Sequence, residues 1–327
     1  MKRVLKICVL IISLLFLSVI VFFYWASSPS LSEQAYTTLI TNNYETKIDN
    51  DSIYSIVTYN IGYLSGMTNN TIAEKPKSLF EKNLTKVKKE FDLLQADIIA
   101  FQEIDYGAAR SYFENQQDEI AKLGYNYVAQ AINWDETYVP FPYWPPSIHF
   151  GKTVSGQSIL SKYPLSQHKR IVLQRVPNAP FYRDALYLER LAQVTTVFLQ
   201  NIEVKIINVH LEAFDKETRA QQLDLVIELF NECRAKHPTI LLGDFNSAPS
   251  FENAAIEKIF ALKDVGNAAF NDALQTNTYH SEKPFKRIDY IFYTEDSIQY
   301  IDGMVLDQFE QASDHLPVLM RFKLKVS

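Results

Sequence analysis

The 327-residue sequence predicts an α/β fold: two stacked, mixed β-sheets flanked by helices, behind one N-terminal apolar helix. Three observations predict it. Short runs rich in Ile, Val, Thr and Tyr alternate with capped amphipathic segments. Several neighbouring runs are close enough to pair as hairpins, so the sheets are mixed rather than all-parallel. No long Gly/Ser or Pro/Ser linker and no internal repeat interrupts residues 51–327, so one domain absorbs all these elements.

The first element is apolar. Ile7 to Trp25 is uncharged over 19 residues. As a helix that is about 28 Å, against a hydrocarbon core of roughly 30 Å. Lys2, Arg3 and Lys6 precede it, and Tyr24 and Trp25 close it like an interface belt. Basic residues ahead of the span predict a cytoplasmic N-terminus and a body on the non-cytoplasmic side. A cleavable signal peptide, which leaves the body secreted, is the rival reading. Its apolar region is usually shorter, and Pro29 follows the Ala26-Ser27-Ser28 stretch where cleavage is expected. The reading is therefore a single-pass membrane anchor over residues 1–30, a polar stalk over 31–50 and one domain over 51–327.

Within the body, Ser52–Tyr59 reads as a strand. Ser78-Leu-Phe-Glu81 has the form of a capping box, and Leu84, Val87, Phe91 and Leu94 give the helix behind it one apolar face. Asp97–Phe101 is a short buried strand. Ser111-Tyr-Phe-Glu114 repeats the capping pattern, and Gly124 can end that helix. Ser158–Leu160 and Leu186–Phe198 read as strands, and Gln200-Asn201 can turn the latter into Val204–Val209. Asp215 can cap a long helix running to Lys236. Thr239–Leu242, Ile288–Tyr293 and Pro317–Leu324 are further strands. The segment Trp134–Phe150 is rich in Pro and aromatics, which predicts an irregular loop that dips into a bilayer interface, stacks on a ligand or folds over a satellite core.

Composition narrows the function. Lys+Arg is 32 and Asp+Glu is 38, a net charge of −6. The body without residues 1–30 has 29 − 38 = −9. That argues against a broad basic nucleic-acid footprint. Two cysteines, Cys8 and Cys233, exclude a disulfide scaffold and a Cys-rich zinc site.

Polar residues cluster at the ends of apolar strands. Asn60 follows Ile56-Val-Thr-Tyr, and Gln102 and Glu103 follow Asp97-Ile-Ile-Ala-Phe. Asn208 and His210 bracket Val209. Asp244 and Asn246 follow Thr239-Ile-Leu-Leu-Gly, Asp289 lies in Arg287-Ile-Asp-Tyr, and Asp314-His315 precede Leu316-Pro-Val. Any one of these reads as a turn or cap. Six strand ends together, mostly carboxyl ends, read as a site. A buried carboxylate costs several kcal/mol unless paired or metal-bound. Mg²⁺ takes one or two carboxylates, waters and phosphate oxygens, so the set suits phosphoryl transfer, with Glu103 as the carboxylate. His210 and His315 are then free to bind phosphate or move protons. Zinc held by both His is the competing metal, without a His-Glu-x-x-His helix or a Cys partner to support it.

At these residues the sequence resembles the endonuclease/exonuclease/phosphatase superfamily, which includes deoxyribonucleases, neutral sphingomyelinases and inositol polyphosphate phosphatases. The resemblance is carried by Thr58-Tyr-Asn-Ile-Gly62, Phe101-Gln-Glu-Ile104, Gly156-Gln-Ser-Ile-Leu-Ser-Lys-Tyr-Pro164, Asn208-Val-His-Leu211, Gly243-Asp-Phe-Asn246, Arg287-Ile-Asp-Tyr290 and Ser313-Asp-His-Leu-Pro317, in the family's order. It implies a four-layer α/β sandwich with the site at one rim. It implies that Glu103 holds Mg²⁺, or Mn²⁺ as the alternative, beside Asn60 and Asp314. Asp244 orients or deprotonates the attacking water, and Asn246 holds a phosphate oxygen. His315, oriented by Asp289, contacts the scissile phosphate, and His210 is a second phosphate contact or the general acid. Asn208 and Arg190 are the substrate-binding candidates, with a cross-strand ion pair as the plainer reading of Arg190.

The sequence thus predicts a membrane-anchored, metal-dependent phosphodiesterase acting by in-line water attack on a phospholipid or lipid-linked substrate, monomeric and without a protein partner. A tethered or secreted nuclease is the alternative, and a non-catalytic module of the same fold is the alternative from another class. Arg219 and Gln222 are expected to brace the His210 loop. Asn69 and Asn83 head Asn-x-Thr glycosylation patterns.

Overall fold

The computed structural model describes residues 1–48, 51–270 and 276–325. In chain order the elements are α1 (Lys2–Ala26), β1 (Thr37–Thr41), β2 (Tyr54–Asn60), α2 (Lys77–Leu94), β3 (Ile98–Asp105), α3 (Gln116–Ala121), β4 (Tyr127–Val139), β5 (Gly151–Ser161), β6 (Leu165–Val172) and α4 (Phe181–Asp184). They continue as β7 (Leu191–Leu199), β8 (Ile202–His210), α5 (Lys216–Arg234), β9 (Thr239–Asp244), α6 (Glu257–Phe260), β10 (Val265–Asn267), β11 (Asp289–Thr294), β12 (Ile298–Val305) and β13 (Val318–Leu324).

The strands form two mixed sheets. One has the order β1-β4-β5-β3-β2-β13-β12, the other β10-β11-β9-β8-β7-β6. β2–β3 and β8–β9 pair in parallel; the other pairs are antiparallel. Strand alternation splits the apolar residues between layers. Ile56, Ile98, Ala100, Ile206, Ile240 and Leu242 meet between the sheets. Val57, Ile99 and Phe101 point the other way, onto Val87 and Phe91 of α2. Ile207, Val209 and Leu241 point onto Leu223, Val226 and Phe230 of α5. The result is the helix–sheet–sheet–helix sandwich expected from the sequence.

Several local expectations need correction. α2 starts at Lys77 behind Pro76 and has no side-chain cap, so the Ser78–Glu81 box does not form; the fixed φ of proline sets the start instead. α3 is capped by Asn115, whose Oδ1 accepts from the Asp118 N–H at 3.2 Å, and not by Ser111. Thr37–Thr41, within the expected stalk, pairs with β4 as the edge of the seven-stranded sheet. β4 extends through Trp134 to Val139, so the irregular loop begins only at Pro140. β7 begins at Leu191; Leu186–Leu188 lie in the preceding loop. The Gln200-Asn201 turn is present, with φ of 51° and 65°, the left-handed pair a two-residue hairpin requires. Asp215 caps α5 through the Thr218 N–H at 2.7 Å.

α1 is a 25-residue helix whose most apolar 18-residue stretch has a mean hydropathy of 3.0, long and apolar enough to cross a membrane or act as a signal sequence. Its end is tied to β4. Asp135 accepts hydrogen bonds from the Ser30 N–H and hydroxyl, the Leu31 N–H and the Tyr36 hydroxyl. The Trp25 ring stacks on Tyr138 at 5.9 Å.

Candidate active site

The alternation that builds the core also builds the site. On β2 the parity of Ile56 continues to Asn60. On β9, Ile240 and Leu242 are followed by Asp244; on β8, Val204 and Ile206 are followed by Asn208 and His210. β11 begins with Asp289 on the parity of Ile291. At one end of the sandwich the inter-sheet layer therefore turns from apolar to polar. Glu103 departs from this pattern, since alternation sends it outward with Phe101. A register shift between Phe101 and Ile104, with φ of 51° at Glu103, re-aims it. That left-handed backbone costs a non-glycine residue roughly 1–2 kcal/mol.

These side chains meet. The Asn60 amide donates to Asp244 Oδ2 at 3.0 Å. The Asn246 N–H donates to Asp244 Oδ1 at 2.9 Å, and its amide donates to Asp244 Oδ2 at 3.3 Å. His210 Nε2 lies 3.6 Å from both Glu103 and Asp244. His315 Nε2 is 3.9 Å from Asp244. Asn69 donates to Glu103 Oε2 at 2.9 Å and to Asp314 Oδ1 at 3.2 Å, so one amide joins two carboxylates.

Burial sets the electrostatics. Burial first, and the Asp289 charge second, push the Asp244 carboxyl up to about 7. Burial and Asp314 raise Glu103 in the same way. Burial, then Arg190, hold His210 well below the usual imidazole range, so it is neutral. Arg190 Nη1 donates into its Nε2 at 2.6 Å. His315 is the opposite case. Burial acts downward, yet Asp289, Asp244 and Asp314 together raise it well above the usual range, so it is an imidazolium.

Asn208 is corrected. It is fully buried and does not line the cleft. Its amide donates to the Phe101 carbonyl and to Gln193, and accepts from Gln102 at 2.6 Å. It joins the two sheets beneath the site. Arg190 faces the cleft and holds His210, Tyr187 and Glu212. Arg219 Nη1 donates to the carbonyls of Glu212 and Ala213, and Gln222 accepts from the Glu212 N–H; both brace the segment after His210. The Asn83 amide is buried on the Leu64 carbonyl, and that of Asn69 is taken by carboxylates, so neither heads a free glycosylation pattern.

A cleft of about 840 Å³ opens over the site, a size typical of small-molecule sites. Glu103, His210, Asp244, Asn246, Asp314 and His315 line it; Asn60 and Asp289 sit behind them as supports. Its aromatic walls come from Trp134, Phe141 and Tyr143, and from Tyr182, Tyr187 and Phe214. Tyr279 and Lys286, not anticipated from sequence, also line it. The Tyr279 ring packs 5.0 Å from His315, and Lys286 Nζ lies 4.7 Å above Tyr279.

Among the described residues, two groups could hold a cation. Asp244, Asp289 and His315 bring ligand-capable atoms within 4.8 Å of one another. That group already carries its own positive charge on His315. Glu103 and Asp314 have the neutral Asn69 amide between them, and the Asp314 charge disfavours that of Glu103. An all-oxygen carboxylate pair of this kind fits a hard divalent ion.

A two-sheet sandwich with carboxylates, amides and histidines converging at one rim defines a phosphoester-hydrolase type of architecture. The chain belongs to the endonuclease/exonuclease/phosphatase family, whose model matches residues 57–315. Among solved structures it is similar to an endonuclease/exonuclease/phosphatase from Beutenbergia cavernae, at 21% identity and a TM-score of 0.60 over 84% of this chain and 72% of that one. It is similar to the human Nocturnin catalytic domain with bound sulfate, at 18% identity and 0.57 over 90% and 100%. TDP2 from C. elegans is similar at 17% identity and 0.56 over 83% and 75%. At such identities the likeness is one of fold. No curated protein matches the chain.

Proposed function

We propose that the chain is a membrane-anchored, divalent-metal-dependent phosphodiesterase that hydrolyses a phospholipid or lipid-linked phosphodiester by in-line attack of water. The observation that carries the reading is the cleft itself. Its base combines one imidazolium, one neutral imidazole and facing carboxylates, while its walls are aromatic and adjoin the end of α1. Glu103 and Asp314 would hold the cation, which when bound supplies charge neutralisation at the phosphate oxygens.

This chain's own residues divide the remaining work. Asp244, raised towards neutrality and held by Asn60 and Asn246, orients the water and takes its proton. His315, kept protonated by Asp289, places a charged N–H donor against the phosphate. Arg190, seated on the acceptor nitrogen of His210, supplies the donor for the second oxygen or the leaving group, and His210 positions it. The aromatic walls limit bulk water around the reacting phosphorus, apart from the molecule that Asp244 orients.

The test uses the full chain in detergent micelles with Mg²⁺, beside Glu103→Ala. Substrates are a sphingomyelin-type phospholipid, single- and double-stranded DNA, and an inositol phosphate. Glu103-dependent turnover of the phospholipid is expected. Turnover of DNA alone would replace the lipid reading with the nuclease one. Absence of both turnover and Mg²⁺ binding would move the chain to the non-catalytic class.

A further inference from the structure

The end of α1 and the mouth of the cleft are physically joined. Phe23, about one turn inside the helix end, packs its ring 5.5 Å from Phe181. Phe22 and Trp25 pack on Tyr138 at 5.8 and 5.9 Å. The Tyr138 hydroxyl meets His149 Nδ1 at 2.7 Å, and His149 Nε2 lies 3.0 Å from the Tyr143 carbonyl. The segments carrying Tyr143 and Tyr182 both contribute to the cleft wall. At their tips Trp144 is 76% and Phe181 73% exposed, outside the cleft lining. Large exposed aromatics grouped at one place signal a contact surface. Trp, Tyr and Phe beside the end of an apolar helix match the headgroup region of a bilayer. A soluble protein partner would not have to lie level with the last turn of α1, whereas a bilayer spanned by α1 does.

We infer that Trp144 and Phe181, with Tyr143 and Tyr182 behind them, form a membrane-contact surface that seats the cleft mouth in the headgroup region of the leaflet where α1 ends. Substrate then enters from the plane of that leaflet and not from bulk water. The inference rests on the reading of α1 as a retained anchor and deepens the lipid reading of the site. The exposed ring of Phe214, on the cleft wall, extends the apolar rim on the domain side.

The experiment uses the full chain with Cys8 and Cys233 replaced by serine, reconstituted in phosphatidylcholine bilayers. A nitroxide is placed through Trp144→Cys, through Phe181→Cys, or, as a reference on the exposed face of α5, through Glu228→Cys. Power saturation with oxygen and an aqueous nickel chelate reads depth. Positions 144 and 181 are expected to favour oxygen and to resist nickel, unlike 228. Water-like accessibility at both positions overturns the inference, whatever the enzyme hydrolyses. In a second arm, the double variant W144S/F181S is compared on a vesicle phospholipid and on a water-soluble phosphodiester. A loss of about tenfold or more on vesicles, with soluble turnover unchanged, is expected from two apolar contacts removed. Equal effects on both substrates overturn it. Membrane-like depth without turnover of either substrate defeats the proposed activity and leaves the surface standing.

Discussion

His315 Nδ1 lies 3.0 Å from Asp289 Oδ2, so the imidazolium that faces the cleft is pinned by a carboxylate that does not. The Thr278 hydroxyl donates to the same Asp289 oxygen and fixes it in turn. His315→Ala is expected to lower kcat by about 100- to 1,000-fold, the effect of losing one preorganised donor. Asp289→Asn keeps the shape and removes the charge, with an expected loss of about 10- to 100-fold. Turnover close to the parent in His315→Ala would refute the assignment.

Glu103→Gln removes one of two facing carboxylates while keeping the Asn69 contact available. Calorimetric binding of Mg²⁺ by the full chain is expected to weaken by about tenfold or more. Asp314→Asn is expected to act in the same direction. Unchanged affinity in both variants would move the cation to the Asp244, Asp289 and His315 group.

Asn208→Ala should act on stability. It strands the Gln102 amide, the Phe101 carbonyl and Gln193 in a dry layer. A cost of about 2–4 kcal/mol is expected, read from urea midpoints. KM should stay within about twofold of the parent, because no uniform substrate contact is lost. A raised KM with unchanged stability would restore Asn208 to the substrate.

Glu136 yields a pH prediction. Burial, and secondarily Asp135, push its carboxyl from 4.5 up to about 8, and its Oε2 is buried without a partner. An acid raised on folding binds its proton more tightly in the native state. Its contribution is favourable below the ordinary carboxylate range and is lost as pH rises towards 8. Glu136→Gln, neutral throughout, should raise Tm at pH 8 and leave it nearly unchanged at pH 4.5. Equal Tm values at pH 8 would contradict this.

What sequence reading reached follows from what alternation encodes. Asn60, His210 and Asp244 close strands, and Asp289 opens one, whose apolar parity aims them between the sheets, so their convergence was legible from residue type and strand position. Asn208 has the same parity and the same chemistry, but Gln102 across the layer claims its amide, and no spacing reports that. Glu103 was legible by type, whereas its direction depends on a bulge. Asn69, Tyr279 and Lys286 come from irregular segments placed by tertiary contacts alone. β4 escaped because Asn133, Asp135 and Glu136 make it read as polar; pairing with β1 and β5 makes it a strand.

Asn60 and Glu103 belong to one sheet, His210, Asp244 and Asp289 to the other. The cleft therefore works as a gauge of interlayer spacing. A large-to-small change at Ile56 or Leu242, in the inter-sheet core and outside the cleft lining, is expected to detune the chemistry by letting the layers settle closer. On gentle warming the reaction should fade while circular dichroism still records intact strands, because slippage between layers spoils a sub-ångström alignment long before either sheet unravels.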